Sequence, residues 1–233
     1  SLAQAIYRAA MGHLLAGNAW RSQQYDSKTK SHPDSIQERT YEEYRKRADN
    51  YYAQAMQDVE ALHAIKLPYT KPLTEEGQDD GIFGNDLLHV VWQAYLEDIP
   101  SSEMRSYAPS YDAIIGVYRR HGLREETLQL RLDSLNQKDD SEKNEEVLLR
   151  LRDEYADLPI CSQVYMQLAS LSGKTNREQY DLLEAALKLY PKSREASEIK
   201  NRLASLRQPK LSCTFYEMFY PDKDYDIPFQ IKN

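Results

Sequence analysis

Five histidines, two cysteines and several closely spaced acids are the residues of this chain that could bind a metal or carry acid–base or thiol chemistry. The histidines, His13, His32, His63, His89 and His121, fall in different elements. None sits in a His-Glu-x-x-His arrangement, and none pairs at a four-residue step with another histidine or a cysteine, so zinc has no local support. Glu60 with His63, and Asp86 with His89, each place a carboxylate and an imidazole three residues apart on one helix face. Each pair could give two metal-ligand side chains, and a solvated helical ion pair is the expected use. Cys161 follows Pro159-Ile160 at the start of a helix, where the dipole would lower a thiol pKa. No orienting motif surrounds it, and a small buried cysteine is expected. Gly81-Ile82-Phe83-Gly84-Asn85-Asp86 leads into a helix, and its N–H groups could hold an anion. It lacks the lysine of a phosphate loop, and Glu75, Glu76, Asp79 and Asp80 would repel phosphate. Those acids also lack the spacing of a helix–loop–helix calcium site. Tyr41, Tyr44, Tyr51 and Tyr52 could form a ligand-facing aromatic strip, but their helical spacing assigns them to a seam between helices. Nothing assembles nucleophile, base and oxyanion donor. The sequence therefore assigns no catalytic, cofactor-binding or metal residue, and the chain is not read as an enzyme.

The elements that carry these residues are helical almost throughout. Leu2, Ile6, Ala9 or Ala10, Leu14 and Ala16 recur mostly at three- and four-residue steps, predicting a helix from Leu2 to about Tyr25, with Trp20 extending its stripe. A polar loop with His32-Pro33-Asp34 follows. Thr40 and Glu43 form a capping box that opens a helix running to about Lys66, before Pro68 and Pro72. After a loop over 73–84, Asn85 or Asp86 can cap a third helix that ends before Pro100. Pro109-Ser110 opens a fourth, closed by His121-Gly122. Five more are expected at about 123–137, 142–156, 160–172, 176–190 and 194–207, joined by connections short enough to demand antiparallel hairpins.

This second half repeats. Arg131-Leu132-Asp133-Ser134-Leu135, Gln167-Leu168-Ala169-Ser170-Leu171 and Arg202-Leu203-Ala204-Ser205-Leu206 share one pattern, offset by 36 and then 35 residues. Tyr155 and Tyr190 keep the same step, and Thr175-Asn176-Arg177-Glu178 is a second capping box. A period near 34 with two helices per unit is the signature of a tetratricopeptide-type array. The Tyr190-Pro191-Lys192-Ser193 junction resembles its repeat boundary, where proline closes one helix and serine caps the next. The expected fold class is all-α: an antiparallel helix-pair, tetratricopeptide-like array of about eight helices with a short C-terminal β-hairpin. Its segments are a helical region with long loops (1–105), the helix pairs (106–208) and an incomplete β segment (209–233).

Composition bounds the partners. Hydrophobic residues make up 41% and charged residues 29%, a globular composition, and no run of about 18 apolar residues could span a bilayer. With 8 glycines and 10 prolines in 233 residues, an all-β chain lacks its turns. The 18 tyrosines against 4 phenylalanines suit shallow helix interfaces where the hydroxyl stays wet. A net charge of −7 argues against nucleic acid and anionic membranes. Cys161 and Cys213 lie in different kinds of element, so a disulfide framework is not expected. The chain opens Ser1-Leu2-Ala3-Gln4, helical at once and without an initiator methionine, which predicts a processed or trimmed start.

At Pro209 the period changes to two. Leu211, Cys213 and Phe215 alternate with Ser212, Thr214 and Tyr216; Pro221-Asp222-Lys223-Asp224 turns; and Ile227, Phe229 and Ile231 alternate again. Two strands alone are marginal, so a following partner sheet is expected beyond Asn233. In this order of parts the chain resembles the N-terminal helical region of large bacterial alpha-2-macroglobulin-like proteins, up to the start of their first macroglobulin domain. The resemblance is carried by residues 190–196, 203–209, 211–217, Tyr220-Pro221-Asp222-Lys223 and Ile227 to Asn233, with a looser match at Asn85-Asp86-Leu87-Leu88-His89. It implies a secreted or envelope-associated parent, periplasmic in a bacterium, built from many β-sandwich domains. Members of that family trap proteases through a bait region and often a Cys–Gln thioester. The Cys-x-Glu-Gln pattern is absent here, and neither Cys161 nor Cys213 matches it.

The sequence thus reads as a non-catalytic helical scaffold or protein-interaction region of such a parent. Its partners would be proteins or the following β-sandwich domains, with no cofactor. The alternative is a helical lipoprotein module for glycan or nutrient binding in the bacterial envelope, which requires Trp20, Trp92 and several tyrosines exposed on one face.

Overall fold

The computed structural model of the protein describes residues 2–21, 40–65, 82–83, 86–99, 109–136, 141–208, 210–213 and 229–232. Those residues are mostly helical, in ten α-helices where about eight were expected. The chain divides into two compact units, Ser1–Thr127 and Leu128–Asn233. The segments drawn from sequence follow composition, whereas this division falls inside a helix.

The first unit holds α1 (Leu2–Arg21), α2 (Tyr41–Ala55), α3 (Val59–His63), α4 (Leu87–Asp98), α5 (Tyr111–Arg120) and the first residues of α6 (Arg124–Asn136). The loops over 26–38 and 73–81, and His32 with them, lie outside the described residues, as does the side chain of Trp20. Short polar residues start most of these helices. Thr40 and Glu43 form both halves of the capping box on α2. Asp86 accepts from the Leu88 N–H at 2.9 Å to open α4, and Ser110 accepts from the Ala113 N–H at 3.3 Å to open α5. At the end of α5 the Leu123 N–H reaches the Tyr118 carbonyl and the Gly122 N–H reaches that of Arg119. This is a Schellman closure, and Gly122 has the φ of 71° that it needs.

The helix expected from Thr40 to Lys66 is two helices. Its apolar spacing runs on through Ala55, Met56, Val59 and Leu62, which hides the break. Asp58 causes it, because its side chain accepts from the Ala61 N–H at 2.9 Å and so restarts the chain as a new N-cap.

α1 lies along α2, and both touch α4. The approach is close enough that a Cβ on Gly12 would stand 2.7 Å from Cδ2 and Cε2 of Tyr52. Two Tyr–Asp pairs then tie α2 to α4. The Tyr95 hydroxyl donates to Asp49 Oδ1 at 3.0 Å, and the Tyr52 hydroxyl donates to Asp98. Both pairs span 46 residues, so the two helices run in the same direction where they meet. Asp98 also meets His13 Nδ1 of α1 at 3.0 Å, which joins three helices at one carboxylate. Tyr44, Tyr52, Trp92, Tyr95, Ile114 and Tyr118 are buried in this unit.

The second unit holds the rest of α6, then α7 (Ser141–Glu154), a 3-10 turn at Pro159–Cys161, α8 (Ser162–Ser170), α9 (Asn176–Leu189) and α10 (Ala196–Arg207). These bounds fall within a few residues of those expected from sequence. From α7 to α10 each helix packs on the next in sequence. Thr175 and Glu178 form the second capping box, on α9. Adding 35 to the range of α7 gives the range of α9. Burial follows the same step: Leu148 and Leu183, Leu151 and Ala186, Cys161 and Ala196, Val164 and Ile199, and Leu168 and Leu203 are all buried. Met166, Ala169, Leu183, Ala186, Ile199 and Leu203 form the core between α8, α9 and α10. After α10, β1 (Lys210–Cys213) and β2 (Phe229–Lys232) pair antiparallel, with Lys210 opposite Lys232 and Cys213 opposite Phe229.

Candidate functional site

Among the described residues, a cluster of titratable side chains lies in the first unit, where α3, the start of α4 and the end of α5 meet. His63 Nδ1 and Asp86 Oδ2 stand 2.5 Å apart, and both side chains are almost wholly buried. The other oxygen of Asp86 is the N-cap acceptor of α4. One carboxylate therefore fixes the helix start and holds the imidazole. The Tyr118 ring meets His63 edge-on at 5.1 Å. Burial, and next the Asp86 carboxylate beside it, push the Tyr118 hydroxyl well above the ordinary phenol range. The His121 ring lies 4.5 Å from that of His63, and its Nε2 meets Glu60 Oε2 at 2.9 Å. Arg120 also donates to Glu60, from Nε at 2.9 Å and from a terminal nitrogen. Arg120 first and His121 second hold the Glu60 carboxyl below its usual value.

A buried Asp–His pair is the arrangement that activates nucleophiles in hydrolases. Here, among the described residues, no serine, threonine or cysteine side chain hydrogen-bonds His63, which instead packs on Tyr118 and His121. The pair joins α3 to the start of α4. The two local pairs considered from sequence are not solvated helical ion pairs. Glu60 pairs with Arg120 and His121, from 60 residues away, and His63 pairs with Asp86. His89 stacks flat on Phe83 at 3.6 Å. Among the described residues there is no group of three or more His, Cys, Asp or Glu side chains placed to hold a metal ion.

Cys161 is fully buried, and its thiol points at the Arg152 carbonyl, 3.6 Å away. Burial pushes the thiol up, outweighing the lowering influence of the nearby Tyr190 hydroxyl. The lowered pKa that its helix-start position suggested is reversed, because desolvation penalises the thiolate more than the helix end helps it. Of the glycine-bearing loop, Phe83 is buried and Asp86 caps α4, while Gly81, Gly84 and Asn85 lie outside the described residues. Tyr44 and Tyr52 point into the core, and Trp92 is 2% exposed, which removes these rings from any surface platform.

Concave surface is found in both units: one pocket of about 590 Å³ lies among α1, α2 and α3, with Arg8, Gln54 and Asp58 in its lining, and the second unit holds two smaller ones. A pocket of about 240 Å³ lies among α6, α7 and α8, and one of about 300 Å³ among α8, α9 and α10. Six of the seven residues lining the first become lining residues of the second on adding 35: Leu135 to Ser170, Asn144 to Gln179, Leu148 to Leu183, Gln167 to Arg202, Ser170 to Ser205, and Leu171 to Leu206. The leucine floors and polar rims recur together, and Ser170 belongs to both pockets. Arg202 donates to Ser170 Oγ at 3.0 Å and to Glu198 at 2.7 and 3.0 Å. The sequence repeat drew attention to Gln167, Ser170, Arg202 and Ser205 as pattern positions, and the structure makes them groove positions.

No helix among the described residues is long and apolar enough to cross a membrane. No protein family, curated protein or solved structure matches the chain.

Proposed function

We propose that the chain is a non-catalytic helical scaffold whose second unit is a tetratricopeptide-like stack of helix pairs that engages other proteins. The observation that carries this reading is the 35-residue correspondence of buried positions and pocket linings across α6 to α10. Repeats of this kind bury one continuous core between neighbours and leave an extended face for partners. Several titratable groups of the first unit tie helices together, with Asp86 on His63, Asp98 on Tyr52 and His13, and Glu60 on Arg120 and His121.

The resemblance of Tyr190–Ala196, Leu203–Pro209 and the alternating segment after it supports a further step. In that reading the chain is the N-terminal helical region of a large alpha-2-macroglobulin-like protein, and the paired strands β1 and β2 begin its first macroglobulin domain. Sequencing the open reading frame past Asn233 tests this. Several hundred further residues with repeated β-sandwich patterns are expected, and a reading frame that ends within a few residues of Asn233 contradicts the assignment.

A further inference from the structure

We propose that the two repeat-equivalent pockets of the second unit form one groove, and that it binds an uncharged, extended stretch of a partner protein with one apolar side chain in each pocket. This rests on the scaffold reading above and adds the face used and the chemistry of what it takes.

Each pocket has an apolar floor, Leu148 in one and Leu183 in the other, both 2% exposed. Leu171 and Leu206 are the corresponding walls. Around the floors stand Asn144, Gln167 and Gln179. A carboxamide carries donors and acceptors together, which matches the N–H and C=O groups of an extended main chain. Arg202 is the one charged residue among those lining the two pockets, and its guanidinium is engaged by Glu198 and Ser170. A charged occupant would lose hydration in this groove and meet no unneutralised opposite charge, so complementarity favours a neutral segment.

The size and repetition favour a chain over a compact ligand. Each pocket is at or below the lower end of the roughly 300–1,000 Å³ typical of small-molecule sites. A compact ligand would fill one pocket and leave its equivalent unused. Ser170 lines both, so an occupant passes from one to the other without a break.

The test selects binders to the intact chain from random linear peptides displayed on phage, then measures them against Ser170→Arg, Asn144→Arg and Gln179→Arg. Ser170 is exposed and Asn144 and Gln179 are half-buried, and circular dichroism with thermal unfolding checks each fold. Selected peptides should be poor in charge and carry two apolar residues at a fixed spacing. Ser170→Arg should weaken them by roughly tenfold or more, about 1.4 kcal/mol. Asn144→Arg and Gln179→Arg should each erase the preference at one apolar position. Enrichment of charged peptides, no enrichment, or full binding by Ser170→Arg would overturn the proposal. So would sedimentation showing that the chain self-associates and that Ser170→Arg abolishes this, which would make the occupant a second copy. Protein binding retained through another face would sink the groove and leave the scaffold reading standing.

Discussion

Leu148 on α7 and Leu183 on α9 stand 35 residues apart, are each 2% exposed, and each form the floor of a pocket lined by equivalent neighbours. In the proposed repeat reading, two residues so matched in burial, helix position and surroundings occupy the same place in two copies of one unit. The energetics of the second unit follow from that equivalence.

Truncating either leucine removes buried methyl groups and leaves a cavity that the surrounding helices cannot fully close. Leu148→Ala and Leu183→Ala should each cost about 2–5 kcal/mol in denaturant unfolding. Leu189, on the same helix as Leu183, is 57% exposed, and its alanine variant should stay within about 0.5 kcal/mol of the parent.

Two glycines of α1 should respond with opposite signs. A Cβ at Gly12 would press on the ring of Tyr52, which is fully buried and anchored to Asp98, so the ring cannot give way cheaply. Gly12→Ala should destabilise by about 1–3 kcal/mol. At Gly17 a Cβ meets nothing within 4 Å, and Gly17→Ala should stabilise by about 0.5–1 kcal/mol through helix propensity. Thermal unfolding of the two variants separates close packing from backbone entropy.

Removing one partner of the His63–Asp86 pair leaves the other buried without its hydrogen bond. His63→Ala should cost about 3 kcal/mol, and Asp86→Ala about 1 kcal/mol more because the α4 cap is lost as well. In a double-mutant cycle the two losses should be markedly less than additive, since they share one interaction. Additive losses would show that the two residues act independently.

Glu60 gives the pH dependence. Its folded carboxyl is held below the ordinary value by Arg120 and His121, so the folded state binds the proton less readily than the unfolded chain. The contribution of Glu60 is therefore present above the unfolded pKa of about 4.3 and is lost as pH falls through the depressed folded value. Melting temperatures of the parent and Glu60→Gln should differ most at about pH 5 and draw together as pH falls below about 4. A gap that does not narrow as pH falls below about 4 would place the effect elsewhere.

Local features were legible in the sequence, and long-range ones were not. Both capping boxes, Thr40 with Glu43 and Thr175 with Glu178, lie within four consecutive residues, so their chemistry is written in the text of the chain. The bounds of α6 to α10 follow from the same local signals and from apolar period. The break at Met56–Asp58 escaped because the apolar spacing continues across it, while the cap that decides it is a single side chain. Glu60 and His63 sit three residues apart and invite pairing, yet their partners arrive from Arg120, His121 and Asp86. The Asp49–Tyr95 and Tyr52–Asp98 pairs likewise depend on how α2 and α4 are brought together. Spacing carries no record of such contacts. The 35-residue step was legible, but that it also generates two matching pockets required the packing of α6 to α10.

The central claim is that α7 with α8 and α9 with α10 are two copies of one helix-pair unit stacked on a shared core. Native-state hydrogen exchange of the intact chain, resolved by residue over 141–208, tests it most directly. Slow exchange should recur at a 35-residue step, with the amides of Leu148, Leu151 and Leu168 protected like those of Leu183, Ala186 and Leu203. Strong protection in α9 and α10 with free exchange through α7 and α8 would contradict the account.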